Sequence, residues 1–287
     1  MTDVDTSEPG DLSDIPTSAG MPGALEEGLS NGWLEIWYQP KIDLKRKCLA
    51  GAEALARIRH PQDGVLWPEH FLPGVDEAGM AALTEFMLCS AMRNWVSFAD
   101  AGFNLHLSIN LPASMLSKLP IAEIVARERP VSDAWPGLIL EVSEEQIARD
   151  MALAQKIAIA LKASGIAIAI DDFGAGYSSF ARLRELPFAE IKLDGSFVKN
   201  CATDATNAGI CQTAIDLAHR FGSVAVAENI ETMTDLQALT AMGCDFGQGM
   251  LVAPPMPEQH FLELLRQRMN RPRSPGGSTV AAAGSAA

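Results

Sequence analysis

The chain has 287 residues, of which 48% are apolar and 20% are charged, the composition of a globular protein with a large core. Its formal charge is −14, with 22 basic against 36 acidic side chains, which excludes a polybasic surface that coats nucleic-acid polymers or anionic membranes. Apolar runs are short or broken by charge, so we expect no membrane span. The first residues lack the basic and apolar segments of a secretory signal, which predicts a cytoplasmic protein.

The two ends differ in composition from the middle of the chain. Residues 1–23 are acidic and rich in Ser, Thr, Gly and Pro, which predicts a disordered N-terminal tail. Residues 271–287 form a second low-complexity tail, also expected to be disordered. Residues 24–270 contain no linker and no internal repeat, and they predict one folded domain. The five cysteines form no C-x-x-C pair and are expected to be reduced packing thiols.

Eight short segments have the apolar patterns of β-strands, and several are continuously apolar, as strands buried on both faces are. In chain order they are residues 33–39, 49–57, 104–110, 137–142, 166–171, 189–193, 223–228 and 245–248. Helical patterns lie between them at residues 80–98, 150–163, 210–221 and 232–242, each followed by a glycine.

This alternation of strands and helices predicts an α/β fold, specifically a TIM-like (β/α)8 barrel. The pattern leaves the direction of the first strand open, so that strand is either parallel or antiparallel to its neighbours. The alternative is a doubly wound open sheet. It is less favoured, because no G-x-G-x-x-G turn follows the first strand.

Polar side chains stand at the carboxyl ends of the predicted strands, where barrel enzymes place their catalytic groups. They are Glu53, Asn110, Glu141, Asp171, Asp172, Lys192, Asp194, Glu228 and Gln248. Carboxylates brought together repel one another unless cations neutralise them, and oxygen ligands suit Mg²⁺ or Mn²⁺. Two such ions about 3.5–4 Å apart are used for phosphoester displacement. The residues alone therefore predict a Mg²⁺ or Mn²⁺ hydrolase or lyase.

Short motifs that carry these residues occur in a fixed order. They are Tyr38-Gln39-Pro40, Glu53-Ala54-Leu55-Ala56-Arg57, Ser108-Ile109-Asn110-Leu111, Asp171-Asp172-Phe173-Gly174-Ala175-Gly176, Ile191-Lys192-Leu193-Asp194, Ala227-Glu228-Asn229-Ile230-Glu231 and Gln248-Gly249. Over residues 24–268 the chain resembles the EAL domain, the cyclic di-GMP phosphodiesterase family named after its Glu-Ala-Leu tripeptide. A single tripeptide is a weak signal, but the ordered set is specific.

The resemblance implies a role for each matching position. Glu53, Asn110, Glu141 and Asp171 match ligands of a first metal ion, and Asp171, Asp172 and Glu228 lie at a second. Lys192 matches the lysine that holds the attacking water, with Asp172 or Glu228 as its proton acceptor. The remaining matches are Glu144, which braces the loop after Asp172, Asp194 and Glu231 as supporting carboxylates, and Arg57, Leu55, Gln248 and Pro255 on the substrate side.

The function implied by the resemblance is two-metal hydrolysis of cyclic di-GMP to linear pGpG. The main alternative is a receptor that binds cyclic di-GMP without cleaving it and acts through a regulatory protein partner. A Mg²⁺-dependent barrel lyase with an unrelated substrate is a third hypothesis. The complete ligand set favours the enzyme, and the family resemblance also implies a homodimer through the 173–180 loop.

Four positions depart from the family pattern. Ala175 stands where Thr is usual, Asn229 where Gly is usual, Met250 where an aromatic is common, and Pro254 where an arginine is common. The changes affect the loop after Asp172, the turn after Glu228 and the nucleotide contacts. Since none is a metal ligand, we expect activity that is modest or regulated.

Structural roles are the alternative for several of these residues. Asp172 alone is consistent with a cap, and Glu144 and Glu231 with charges at helix N-termini. Lys192 and Asp194 are compatible with a local ion pair. Arg57 is either a phosphate ligand or a solvated side chain.

Overall fold

The computed structural model describes residues 20–174, 184 and 186–269. The predicted disordered tails at residues 1–23 and 271–287 lie almost entirely outside this range, so the domain boundaries stay predictions. Of the loop 173–180, which the sequence assigns to a dimer contact, only Phe173 and Gly174 are described. Ala175 therefore also lies outside the described residues, and the prediction about it stays a prediction.

The strands form one ten-stranded sheet. In chain order they are β1 (Leu34–Asp43), β2 (Cys48–His60), β3 (Gly64–Leu66), β4 (His106–Asn110), β5 (Leu138–Ser143), β6 (Ile166–Phe173), β7 (Glu190–Leu193), β8 (Val224–Ala227), β9 (Phe246–Gly247) and β10 (Met256–Pro257). Each of the eight strands predicted from the sequence is present. The two short strands β3 and β10 are additional, and both lie at the edges of the sheet.

Helices connect and cover these strands. The described ones are α1 (Ala24–Asn31), α2 (Pro68–Phe71), α3 (Glu77–Asp100), α4 (Ala113–Lys118), α5 (Ile121–Glu128), α6 (Glu144–Arg149), α7 (Met151–Lys162), α8 (Gly195–Val198), α9 (Ala205–Arg220), α10 (Met233–Ala241) and α11 (Glu258–Met269). Side-chain oxygens cap several of their N-termini. Asp76 caps α3, Asp204 caps α9 and Thr232 caps α10, each by accepting hydrogen bonds from the first-turn amides.

Eight strands close into a barrel, which confirms the predicted fold class. The ring runs β1-β9-β8-β7-β6-β5-β4-β2 and returns to β1. Strand β1 is antiparallel to both of its ring neighbours, pairing Gln39 with Glu53 on one side and Ile42 with Gly247 on the other. The other ring neighbours are parallel. The first strand is thus the antiparallel variant of the two that the sequence allowed, and the doubly wound open sheet is wrong.

Apolar strand residues fill the space between the barrel and the helices. Leu107, Leu140, Ile170, Ile191 and Ala225 are completely buried, as expected for strands that are covered on both faces. No helix in residues 20–174, 184 and 186–269 is long and apolar enough to cross a membrane. The five cysteines are free thiols, and three of them, Cys201, Cys211 and Cys244, are buried.

Candidate active site

The carboxyl ends of the barrel strands bring together eight of the nine polar residues that the sequence grouped, all except Asp194. Parallel registers pair Glu53 with Ser108, Asn110 with Glu141, and Ser143 with Asp171, so successive strands deliver their end residues to one mouth of the barrel. Side chains alternate between the two faces of a strand, and these positions point inward. The group consists of Glu53, Asn110, Glu141, Asp171, Asp172, Lys192, Glu228 and Gln248.

The ammonium group of Lys192 lies at the centre of this cluster. Its Nζ is 2.6 Å from Glu141 Oε2 and 2.7 Å from Glu228 Oε1. Asp171 Oδ1 is 3.2 Å away and Glu53 Oε2 3.5 Å away. The local ion pair with Asp194 that the sequence allowed is not among the described contacts, because the lysine points into the barrel, where it is 1% exposed.

Two amide side chains fix the orientation of the carboxylates. Asn110 Nδ2 donates to Glu53 Oε1 at 2.6 Å, and Gln248 Nε2 donates to Glu53 Oε2 at 2.6 Å. The same Gln248 nitrogen is 3.0 Å from Glu228 Oε1. Both oxygens of Glu53 are therefore held by charge-assisted hydrogen bonds, and the amide oxygen of Asn110 is left as a candidate ligand.

Burial and mutual repulsion perturb the acids of the cluster. Burial raises the pKa of Glu228 to about 8. Burial and the neighbouring Glu53 raise the pKa of Glu141 well above its usual range. For Glu53 the effect of burial is outweighed by Lys192 and the two amide donors, so its pKa is lowered. The surrounding carboxylates outweigh the burial of Lys192 and raise its pKa, which favours the charged form of this lysine.

The donor set fits a site for divalent cations. Oxygens of Asp171, Asp172 and Glu228 all lie within 4.8 Å of one another. Glu141 Oε1 is buried and has no hydrogen-bond partner among the described residues. One lysine faces four carboxyl groups, and the raised pKa values of Glu141 and Glu228 show that a single cation does not compensate the ionised forms of all four. Carboxylate and amide oxygens are the ligands that Mg²⁺ and Mn²⁺ prefer.

The backbone after β6 is shaped to present Asp172. Its φ is 53°, a left-handed conformation that is uncommon for residues other than glycine and often found at functional sites. Burial and the adjacent Asp171 raise the pKa of the Asp172 carboxyl. Two residues later, the Gly174 amide donates to Glu144 Oε2 at 3.0 Å. Glu144 is thus bonded to the backbone just after Asp172, and its role in bracing the loop that follows stays a prediction.

Asp194 and Glu231 do not contact this cluster through a described hydrogen bond. Asp194 caps α8 by accepting a hydrogen bond from the Ser196 amide at 2.7 Å, and it adds to the negative potential that raises the pKa of Asp172. Glu231 is exposed in the segment between β8 and α10. Asn229, two residues before Glu231, has a φ of 50°. Glycine, the usual family residue at this position, adopts this left-handed conformation without strain.

Arg57 lies on the inward-facing side of β2 and is buried, so the interpretation of a solvated side chain is wrong. The residue is 2% exposed, and its Cζ lies 3.9 Å from the ring centroid of Trp67. Nη1 donates to the Ala56 carbonyl at 2.7 Å, while Nε has no partner among the described residues. Burial lowers the pKa of Arg57 to about 10. It remains charged at neutral pH, with donors left for an anion.

Leu55 and Pro255 are the other substrate-side candidates. Leu55 is half-buried between Glu53 and Arg57 and pairs with Trp37 across β1. Pro255 is half-buried just before β10, and the neighbouring Pro254 is exposed. Met250 follows Gln248 by two residues and is 57% exposed. None of these residues is joined to the cluster by a described side-chain hydrogen bond.

Trp37 and Trp67 were not among the candidate residues, yet they enclose Arg57. Their rings lie 6.3 Å apart at 62°, and Glu35 accepts a hydrogen bond from Trp37 Nε1 at 2.6 Å. Trp67 precedes the short helix α2 and fits no strand or helix period, so periodicity gave no reason to select it. The sequence did contain a signal for Trp37. It shares one face of β1 with Glu35 and Gln39, and that face lies opposite Arg57, Leu55 and Glu53 of β2.

Comparison with known proteins places these residues in a family. A family model described as the EAL domain matches residues 23–255. Cyclic di-GMP phosphodiesterase RocR of Pseudomonas aeruginosa is 34% identical over 88% of this chain and 64% of that protein. Cyclic di-GMP phosphodiesterase PA2567 of the same organism is 37% identical over 88% of this chain and 42% of that protein. The chain thus spans less than two thirds of the length of these relatives.

A solved structure has the same architecture. The structure titled PaMucR phosphodiesterase, c-di-GMP complex, superimposes with a TM-score of 0.76 at 33% identity, covering 83% of this chain and 97% of that one. The likeness therefore extends over nearly the whole of the described barrel.

Proposed function

The chain belongs to the EAL domain family, and from that premise we propose that it is a metal-dependent phosphodiesterase that hydrolyses cyclic di-GMP to linear pGpG. The observation that carries the proposal is the convergence of Glu53, Glu141, Asp171 and Glu228 on the buried Lys192. Similarity to curated cyclic di-GMP phosphodiesterases supports the substrate. The family's metal ligands are all present, which favours catalysis over a receptor that binds without cleaving.

The oxygen donors at the mouth are the residues that would hold metal. Glu53, Asn110, Glu141 and Asp171 would hold one ion, and Asp171, Asp172 and Glu228, whose oxygens cluster within 4.8 Å, would hold a second. Two bound divalent ions supply Lewis acidity, which polarises the phosphodiester and lowers the pKa of water. The negative cluster is suited to this role because it requires cations before it accepts a substrate phosphate.

The residues of the chain then orient and deprotonate the attacking water. Lys192 donates from the base of the site and is held there by the acids around it, so it positions a water for in-line attack. Oxygens of Glu228 and Asp172 lie within 4.8 Å of each other and of Asp171, so either carboxylate, once ionised, is placed to accept the proton of that water. Gln248 couples the two acids Glu53 and Glu228 and keeps both pointed at the same centre.

Arg57 supplies the positive charge on the substrate side. Its guanidinium is the buried cation of the rim, and no carboxylate forms an ion pair with it among the described residues. An arginine in that condition is suited to bidentate contact with a phosphate. Leu55, two residues before Arg57 on the same face of β2, and the half-buried Pro255 are the proposed apolar contacts for the base and ribose of a nucleotide.

The test is turnover of cyclic di-GMP by the purified protein in Mg²⁺ or Mn²⁺, followed by chromatography of the product. We expect pGpG from the unaltered chain and none from Glu53→Ala, which removes a proposed ligand and the acceptor of two amide hydrogen bonds. The matched control is Glu145→Ala, an exposed acid on α6 paired with Arg149, which keeps full turnover.

Binding of cyclic di-GMP without cleavage in either metal would contradict the enzyme and support the receptor acting through a protein partner. Absence of both binding and turnover would leave a barrel lyase with another substrate as the better hypothesis. Full activity of Glu53→Ala would show that the proposed metal ligands are wrongly assigned.

A further inference from the structure

A second charged centre lies inside the barrel at the end opposite the carboxylate cluster. Lys41 of β1 donates from Nζ to both oxygens of Glu190 on β7, each at 2.8 Å. The two residues are 2% and 4% exposed. Glu190 precedes Lys192 by two residues, so both side chains leave β7 on the same inward face, one towards each end of the barrel.

Gly51 of β2 gives Lys41 the room it needs to reach into the barrel. A Cβ at Gly51 would lie 2.4 Å from the His106 carbonyl oxygen and 3.3 Å from Lys41 Cε. The absence of a side chain at this position therefore admits the lysine stem. The ammonium also lies 5.7 Å from the ring centroid of Phe246, so the cation is enclosed by both a carboxylate and an aromatic face.

A cavity of about 420 Å³ opens beside this ion pair, within the range of small-molecule sites. It is lined by the first residues of six strands, His106, Leu138, Ile166, Glu190, Val224 and Phe246, which places it at the amino-terminal mouth of the barrel. Of the fourteen lining residues only Lys41, His106, Lys162 and Glu190 carry polar side chains. An apolar wall with a few convergent polar groups is the usual construction of a ligand pocket.

The charges of the lining select the sign of a ligand. Lys41 and Glu190 neutralise each other across their two hydrogen bonds. Burial and the nearby Lys41 lower the pKa of His106, so this imidazole is neutral at pH 7. Lys162, exposed at the end of α7, is the one lining charge left without a counter-charge in the described wall.

We propose that this amino-terminal cavity is a second binding site, distinct from the carboxylate cluster, for a small monoanion with an apolar body, such as an aliphatic or aromatic carboxylic acid. The apolar body packs against Ile139, Val224 and Phe246, and the carboxylate faces Lys162 and the Lys41 end of the ion pair. The site is independent of the proposed catalytic function, since all of its residues lie at the opposite end of the strands.

The test measures binding of octanoate by titration calorimetry, with octylammonium as the cationic probe of equal chain length. We expect octanoate to bind at one site per chain and octylammonium to bind more weakly. Lys162→Gln weakens the binding of octanoate by about two- to fivefold, which is the contribution expected of a partly exposed ion pair. Ile139→Trp fills the cavity and removes the binding.

Lys156→Gln is the matched control, an exposed lysine of the same helix that does not line the cavity, and it leaves octanoate binding unchanged. Equal loss in Lys156→Gln and Lys162→Gln would overturn the assignment. So would the absence of saturable octanoate binding, or a preference for octylammonium. If Ile139→Trp fails to fold, the pair of lysine variants still decides the outcome.

Discussion

Lys192 sets the electrostatic state of the carboxylate cluster, because one buried ammonium faces four acids within 3.5 Å. Those acids offset the cost of burying the ammonium charge. The ammonium group in turn compensates the negative charge of the buried carboxylates. Removing one partner of a buried ion pair leaves uncompensated charge, which costs about 3–5 kcal/mol.

Lys192→Ala is therefore expected to abolish turnover and to lower the free energy of unfolding by about 3 kcal/mol in EDTA. The fold survives, since a domain of this kind has roughly 5–15 kcal/mol of stability. Urea unfolding and product chromatography on the same sample measure the two effects. Lys156→Ala, exposed on α7, should match the unaltered chain in both, and an active Lys192→Ala would contradict the assigned role.

The ring of Trp67 lies against the guanidinium of Arg57, and we expect this contact to hold the arginine in position. A desolvated cation–π contact is worth about 2 kcal/mol, and less at partly exposed sites. We expect Trp67→Ala to raise KM for cyclic di-GMP by about 5- to 30-fold with a small change in kcat. Trp67→Phe keeps an aromatic face and should recover most of the affinity.

Steady-state kinetics with separate KM and kcat measures this effect. The control is Trp33→Ala, because the ring of Trp33 packs against His60, with 5.2 Å between the ring centroids, and not against Arg57. If Trp67→Ala and Trp67→Phe both lower kcat and raise KM to the same extent, the ring supports the fold and does not position the arginine.

At the scale of elements, the sequence determined which segments are strands better than how they are arranged. Apolar period-two patterns identify a strand regardless of its direction, so the antiparallel pairing of β1 could not be deduced from residues 33–39. The acids at strand ends were predictable because parallel strands end at one mouth. Contacts between Lys41 and Glu190, 149 positions apart in the chain, depend on barrel closure and have no local signal.

Gly51 provides a test at this scale, because β2 and β4 approach too closely there for a Cβ. Gly51→Ala is expected to destabilise the barrel by about 1–3 kcal/mol, the usual cost of overpacking. Gly209→Ala in α9 meets no atom within 4 Å and should stabilise by about 0.5–1 kcal/mol, since alanine is the better helix former. Urea midpoints of both variants decide the matter, and equal stability of the two would contradict the close approach.

At the scale of the whole molecule, the formal charge of −14 includes the inward-facing acids at the barrel mouth. These acids repel one another and are neutralised within the described residues only by Lys192. Divalent cations that bind the folded cluster and not the unfolded chain shift the folding equilibrium by mass action. Metal dependence should therefore appear in stability as well as in turnover.

We expect Mn²⁺ at about 100 times its dissociation constant to increase the free energy of unfolding by about 2.7 kcal/mol. For a domain of this size, that increase raises Tm by about 5–10 °C. Calorimetry with and without EDTA measures the shift. Asp171→Asn should lose most of it, while Glu145→Ala should keep it. A Tm unchanged by Mg²⁺ and Mn²⁺ alike would be evidence against a metal site at the mouth.

The reversed direction of β1 also decides where preceding sequence meets the barrel. Because β1 runs from the mouth that holds the carboxylate cluster to the opposite end, the chain that leads into Leu34 enters the barrel at that mouth. Met21 donates its amide hydrogen to the His70 carbonyl at 2.7 Å, in the helix that Trp67 precedes. Residue 21 is therefore joined by a backbone hydrogen bond to α2, and the ring of Trp67, which directly precedes α2, lies 3.9 Å from the Arg57 guanidinium.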